Sequence, residues 1–172
     1  YILILRKGSK RDFKKETDKK NRRSSAIFWE ERNLWFSDIW FDIKGSPQAL
    51  NDKNTRKRSA AYPFELAYRL INMYSAKGDW VLDPYLGMGT TTSAAVASGR
   101  NSIGYEIENT LQDVNNRAKD IIIETSQQVI RQRLVNHLDF VLKRIKSKRE
   151  LKYNNTHYGF PVMTAQEKEL LI

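Results

Sequence analysis

The chain opens on an apolar run, Tyr1-Ile2-Leu3-Ile4-Leu5, whose β-branched and aromatic members predict a buried strand. A polar, basic segment follows. From Phe28 to Phe41 aromatic and charged residues then alternate irregularly, and Trp29, Trp35 and Trp40 lie close enough to form a small packed core. Those same rings also suit stacking on bases or wedging a duplex. Asp42 to Pro47 reads as a turn into a polar linker, Asn51 to Lys57. Next, Pro63 in a first-turn position and Ala67, Leu70, Ile71 and Tyr74 on one face predict a helix ending near Gly78. Asp79-Trp80-Val81-Leu82 reads as a short buried strand, and Thr92 to Ala97 as a helix of small side chains. A longer helix is expected from Thr110, with Leu111, Val114, Ala118, Ile121, Val129, Leu134, Leu138, Val141 and Ile145 at helical intervals. Its Ile121-Ile122-Ile123 segment suits a third strand equally well. Residues 153–172 offer only a turn at Gly159-Phe160-Pro161.

Composition narrows the class. With 172 residues, 40% of them hydrophobic, there is material for one domain with a real core. No apolar stretch approaches the roughly 20 residues that cross a bilayer, and nothing resembles a secretory signal, so a soluble, cytoplasmic chain is expected. The absence of cysteine excludes disulfides and thiolate zinc sites. His137 and His157 stand apart from each other and from acidic clusters, which argues against a metal site and places His137 on a helix surface.

The segment with the most chemistry is Asp83-Pro84-Tyr85-Leu86-Gly87-Met88-Gly89-Thr90-Thr91. An acid at a strand end and a Gly-x-Gly turn opening a helix make a cofactor crevice. There glycines let the backbone approach a ligand, and the helix start offers unpaired N–H groups. A phosphate-cradling loop needs Gly-Lys-Ser/Thr, and Gly89 is followed by three threonines. A dinucleotide fingerprint needs a third small residue where Thr92 stands. A ligand-free tight turn accounts for the glycines but not for the preceding Asp-Pro.

Residues Arg58 to Glu106 resemble the cofactor-binding half of S-adenosylmethionine-dependent DNA methyltransferases that modify exocyclic amino groups of adenine or cytosine, as in restriction-modification systems. The family signature is Asp-Pro-Phe-x-Gly-x-Gly-Thr-Thr, here with Tyr85 for Phe. A Pro63-Phe64-Glu65-Leu66 helix start before it and Ile103-Gly104-Tyr105-Glu106 after it complete the match, and Trp35 to Trp40 extends it weakly. The resemblance implies an α/β, three-layer Rossmann-like methyltransferase fold, of which this chain holds part of the sheet. It divides the chain into residues 1–57 (basic and aromatic, with DNA recognition and a remnant of the catalytic half), 58–150 (cofactor half) and 151–172 (tail). S-adenosylmethionine is the implied cofactor. Asp83 would meet its ammonium, directly or through water; Gly87 and Gly89 would keep the floor bare; Thr90 and Thr91 would cap the helix and turn N–H groups to the ligand. Glu106 would accept the ribose hydroxyls, unless it is an ordinary exposed strand-end acid. Pro84 belongs to the signature. Tyr85 and Ile107 would bracket the cofactor or simply pack, and Ala61 and Phe64 belong to the segment near its methionine end, although an aromatic opening a helix, as Phe64 does, is just as often core.

The net charge of +10 points to a polyanion, with double-stranded DNA the implied partner. Lys14, Lys15, Lys19, Lys20, Arg22 and Arg23 crowd the first segment, and Arg56, Lys57 and Arg58 precede the cofactor half, where they suit a phosphate clamp. A solvated, partly disordered basic loop is the alternative for the first group. A second basic group, Arg131, Arg133, Lys143, Arg144, Lys146, Lys148, Arg149 and Lys152, lies on or after the long helix and suits either the same polyanion or only a polar face. No Pro-Pro occurs, so the Asp/Asn/Ser-Pro-Pro-aromatic catalytic motif has no counterpart and no catalytic residue is named. That motif is needed because the target amino group is a poor nucleophile: its hydrogens must be held and the flipped-out base stacked. In the permuted order that this chain resembles, the cofactor half comes last. A C-terminal portion of an enzyme is therefore expected, completed by an upstream segment or second chain. The alternatives are a non-catalytic DNA-binding subunit or relic, and an RNA methyltransferase.

Overall fold

A computed structural model describes residues 1–44, 62–109, 111 and 119–172. The elements are α1 (Glu16–Ser24), α2 (Trp29–Trp35), α3 (Phe64–Tyr74), β1 (Trp80–Asp83), α4 (Thr90–Ala97), β2 (Asn101–Gly104), α5 (Lys119–Lys146), β3 (Tyr153–Asn154), β4 (Pro161–Val162) and a 3-10 turn (Ala165–Glu169).

Strands β1 and β2 pair in parallel, Trp80 opposite Asn101 and Asp83 opposite Gly104, and α4 connects them. Helix α4 packs on both strands and also meets α3 and α5. Its Thr-Thr-Thr-Ser-Ala-Ala-Val-Ala sequence explains this: with nothing larger than valine, neighbours approach closely, and Ala94 and Ala95 are fully buried. Trp35, Tyr68, Ile71, Phe64, Val81 and Val129 close the core around it. Alternation in β1 sends Val81 into that core and Trp80 and Leu82 outward, where they are exposed together with Ile103 of β2. Gly104 accommodates Leu86: a Cβ at Gly104 would lie 2.5 Å from Leu86 Cδ1. Gly104→Ala is therefore expected to cost about 1–3 kcal/mol by overpacking, seen as a lower unfolding midpoint; an unchanged midpoint would mean that Leu86 moves freely.

Several expectations are corrected here. Residues 1–5 form no strand and are exposed; β1 and β2 pair only with each other among the described residues. Helix α3 stops at Tyr74, where Ser75 turns extended and its hydroxyl donates to the Ile71 carbonyl at 2.5 Å. The Ile121–Ile123 segment is helical, inside α5. Thr110 and residues 112–118, where that helix was expected to start, lie outside the described residues. The buried stripe of α5 runs through Ser126, Arg133, His137 and Val141, while Leu138, Leu142 and Ile145 are exposed.

His137 is fully buried, not on a surface. Its ring stacks on Phe28 at 3.9 Å; Nδ1 lies 2.6 Å from Glu30 Oε1 and Nε2 lies 2.9 Å from the Pro161 carbonyl. One turn earlier Arg133, expected on a polar face, is buried and meets Glu31 through two bonds of 2.5 and 2.7 Å. Burial opposes the Arg133 charge, but the Glu31 carboxylate more than compensates and holds the guanidinium above its ordinary range. The tryptophans divide between cores. Trp35 joins the α3–α4 cluster, and Trp29 packs on Phe140 of α5.

The last twenty residues are built, not featureless. β3 and β4 form an antiparallel pair across a turn in which Gly159 takes φ +74°. Asn155 donates to the carbonyls of Glu167 and Leu170, and Leu170, Val162 and Phe28 make a second core. The segment is fastened to the front of the chain: Trp29 N–H donates to Glu167 Oε1 at 2.8 Å and Leu171 N–H to the Ser24 carbonyl at 3.0 Å.

At the amino-terminal end of β1, burial lowers the Lys77 ammonium to about 8, helped by the positive charges of Arg100 and Arg133. The folded value lies below the ordinary 10.5, so between about pH 8 and 10.5 the unfolded chain holds more protons and this group's contribution to stability rises with pH. Lys77→Met is expected to raise the unfolding midpoint at pH 7 and flatten that rise; superimposable midpoint–pH profiles would refute it.

Candidate functional site

The site is assembled at the carboxyl ends of β1 and β2. Asp83 is the last residue of β1, and the parallel ladder continues past it: Tyr105 N–H donates to the Asp83 carbonyl at 3.0 Å and Leu86 N–H to the Tyr105 carbonyl at 2.9 Å. These two bonds hold the chains leaving both strands side by side. Asp83 and Glu106 therefore flank one turn.

That turn is shaped by Gly87 (φ +52°) and Gly89 (φ +76°), both in the left-handed region that side chains disfavour. Gly89 N–H donates to the Leu86 carbonyl at 2.9 Å, closing the turn directly onto the start of α4. No side-chain cap forms at that start. The capping role expected of Thr90 and Thr91 is thus corrected: the hydroxyl of Thr91 turns to Asp83 instead, donating to Oδ2 at 2.5 Å. Having spent its proton there, Thr91 accepts from the Tyr62 hydroxyl, which also lies 3.4 Å from Asp83 Oδ2. The other oxygen of Asp83 accepts the Tyr85 N–H at 3.0 Å. A tyrosine, a threonine and a backbone amide thus orient one half-buried carboxylate. Thr92 ties α4 to β2 through Ser102 at 3.0 Å.

Glu106 faces the turn from the other side. Its Oε2 accepts Gly87 N–H at 2.7 Å and its Oε1 accepts Glu108 N–H at 2.9 Å. These bonds, the one from Glu108 foremost and that from Gly87 next, hold its carboxyl below the ordinary range, so it is ionised at neutral pH with lone pairs left over for further donors. Tyr85 and Ile107 stand at the rim with 88% and 98% of their surfaces exposed. An aromatic and a branched aliphatic side chain flanking bare backbone suit a flat, partly apolar ligand. Pro84 is exposed between Asp83 and Tyr85.

Of the residues singled out from the sequence, Asp83, Tyr85, Gly87, Gly89, Thr91, Glu106 and Ile107 meet around this turn. The ring of Phe64 stacks on Tyr68 at 5.6 Å and packs, partly buried, against the core. Ala61, Arg56, Lys57 and Arg58 lie outside the described residues. Tyr62 was missed, although its place just before the Pro63 helix start, whose segment was already assigned to the site, was a usable signal. Burial first, opposed by the Thr91 bond, raises its phenol above the ordinary value.

The basic segment is ordered as α1 and its approach. Arg23 pairs with two acids, its Nε 2.9 Å from Glu169 and its Nη2 2.9 Å from Glu16. Lys19 pairs with Glu16 at 3.5 Å and Lys14 with Asp12 at 3.1 Å, both on the surface. Lys15, Lys20 and Arg22 are exposed, Arg22 lying over the Phe13 ring.

Comparison with known proteins bears on this arrangement. A family model described as DNA methylase, of the N6/N4 methyltransferase class, matches residues 1–117. The chain is 51% identical over 170 residues to the type II methyltransferase M.MthZI of Methanothermobacter thermautotrophicus, which covers 99% of the chain and 46% of that protein. It is 48% identical over 114 residues to the type II methyltransferase M.MjaI of Methanocaldococcus jannaschii, covering 66% of the chain and 36% of that protein. Among solved structures, that of a candidate DNA modification methylase from Thermus thermophilus superposes with a TM-score of 0.50 at 30% identity, covering 69% of this chain and 40% of that one. The chain spans less than half the length of these relatives.

Proposed function

We propose, because this chain belongs to the DNA methylase family, that it is the cofactor-binding portion of a restriction-modification type DNA amino-methyltransferase with the Rossmann-like α/β methyltransferase fold. The observation that carries this reading is the pair of carboxylates, Asp83 and Glu106, oriented on either side of a bare Gly87–Gly89 turn at the carboxyl ends of two parallel strands. S-adenosylmethionine fits this chemistry. Asp83 offers a fixed anion to an ammonium; Glu106, ionised and already accepting two amides, offers its remaining lone pairs to vicinal hydroxyls. Tyr85 and Ile107 offer apolar surface to a purine, and α4 begins at the turn with no side-chain cap among the described residues. When bound, S-adenosylmethionine supplies a sulfonium-activated methyl group for direct transfer to the exocyclic nitrogen of a flipped-out adenine or cytosine.

The chain's own part in that chemistry is positioning. The Tyr62–Thr91–Asp83 chain keeps the Asp83 carboxylate from rotating, and Gly87 and Gly89 leave the floor open. The residues that hold the target amino group belong to a Pro-Pro-aromatic motif that these 172 residues do not contain. Methyl transfer therefore requires a further segment or second chain, and the substrate is double-stranded DNA in a cytoplasmic setting.

Calorimetric titration with S-adenosylmethionine tests the reading. The chain is expected to bind, and Asp83→Ala to abolish binding while keeping the unfolding midpoint within a few degrees, since Asp83 lies at the rim of the core. No heat from a folded wild-type chain, or undiminished binding by Asp83→Ala, would refute the assignment.

A further inference from the structure

A second feature lies at the other end of β1, about 10 Å from Asp83 along the strand. Here the chain approaching α1, the far end of α3 and the end of α2 enclose a cleft of about 780 Å³, whose wall carries six Lys or Arg side chains and no carboxylate. Arg6, Arg11, Phe13, Arg22, Arg32 and Phe36 define its character. Arg11 is held by Asp79 at 2.6 Å, and Arg23, on the same wall, is held by Glu16 and Glu169. Arg6, Arg22 and Arg32 have no carboxylate partner among the described residues.

Two of these are posed by rings rather than by acids. The Arg22 guanidinium lies 5.2 Å from the centre of Phe13 and that of Arg32 lies 6.0 Å from the centre of Phe36. An aromatic face orients a guanidinium without neutralising it, so both retain their full charge and hydrogen-bonding forks. The cluster is five arginines to one lysine. Arginine's planar fork matches two oxygens of one phosphate, and the volume far exceeds that of a single ion, since a water occupies about 30 Å³. A membrane surface would instead call for a flat basic face beside an apolar one.

We propose that this cleft grips the sugar–phosphate backbone of DNA, away from the cofactor turn and independently of sequence, through Arg6, Arg22 and Arg32. It deepens the reading above and rests on it only in taking the polyanion to be DNA. The contact anchors the substrate on the opposite end of β1 from the methyl donor and leaves base readout to other parts of the enzyme.

The test is fluorescence anisotropy of a short labelled duplex of arbitrary sequence across a salt series, with the wild-type chain, Arg22→Glu/Arg32→Glu, and the control Lys143→Glu/Lys146→Glu. The control makes the same change in net charge on the exposed end of α5. The cleft pair is expected to weaken binding by about tenfold or more near 0.1 M salt and to flatten the log K against log salt slope by about 2, one unit per lost phosphate contact, with the control much less affected. Among the described residues neither pair is in an ion pair or in the cofactor turn, so S-adenosylmethionine affinity should match wild type in both. All four cations sit in the last turns of their helices, so any small loss of unfolding midpoint should be alike. Equal weakening by both pairs would reduce the effect to net charge and overturn the proposal. So would unaltered binding by the cleft pair, or a wild-type chain that binds anionic phospholipid vesicles but not the duplex. A wild-type chain that binds the duplex through the cleft but takes no S-adenosylmethionine would overturn the function proposed above and leave this site standing.

Discussion

Replacing Glu31 with alanine is expected to destabilise the chain by about 3–5 kcal/mol, the usual consequence of stranding a buried charge. Arg133 is 9% exposed at its side chain and Glu31 14%, so removal of the carboxylate leaves a guanidinium that water hardly reaches. The Phe28 ring, 5.2 Å from that guanidinium, is a weak substitute for an anion. Adding Arg133→Met should restore most of the loss, since an apolar pair of similar volume avoids desolvation altogether. Recovery should fall short by about 1 kcal/mol, because Glu31 Oε2 also accepts Phe28 N–H at 3.0 Å and so caps α2. Chemical denaturation of the single and double variants decides the matter. A single variant within about 1 kcal/mol of wild type would mean that water reaches Arg133 readily.

Glu106→Ala is expected to weaken S-adenosylmethionine binding by about 10- to 100-fold, and Glu106→Gln by less. Two effects combine. The carboxylate is the acceptor proposed above for two hydroxyls, and it also holds Gly87 and Glu108 N–H groups in the shape of the turn. Glutamine keeps one acceptor oxygen and can still hold the turn, but it presents a donor where the second hydroxyl needs an acceptor. Because the acid's bonds are to local backbone amides, its loss should lower the unfolding midpoint only modestly, through those bonds, which hold its carboxyl below the ordinary range and stabilise the fold at neutral pH. Titration calorimetry of the two variants separates the contributions. Equal affinity in both would show that turn shape alone matters, and wild-type affinity in both would remove Glu106 from the site.

The turn was legible in sequence because its determinants are local. Gly87 and Gly89 are demanded by backbone angles within nine residues of Asp83, and Glu106 by the end of the next strand. The same locality made α3, β1 and α4 readable from periodicity and from the proline before α3. What escaped were residues whose roles depend on partners distant in the chain. Nothing around Tyr62 reveals that its hydroxyl reaches Thr91, and nothing around Thr91 reveals that Asp83 takes its proton in place of a helix cap. Phe64 was open to two readings, site or core, and only its packing on Tyr68 shows the second.

By itself, then, the sequence determined the strand–turn–helix crevice and its acids, the family resemblance they carry and the strongly basic character of the chain, all of which follow from short-range backbone geometry and composition. Tertiary structure decided which charges are available and which are spent. Arg133 and His137 are polar residues on an amphipathic helix and become core only because α2 supplies Glu31 and Glu30 more than 100 residues away. Arg23 is taken by Glu169, while Arg22 beside it stays open. The final segment, unremarkable in sequence, is folded because Phe28 and Glu167 find each other's neighbourhoods across the whole chain. A charge's availability depends on the dielectric and the partners that folding places around it, and neither is written in the residues on either side.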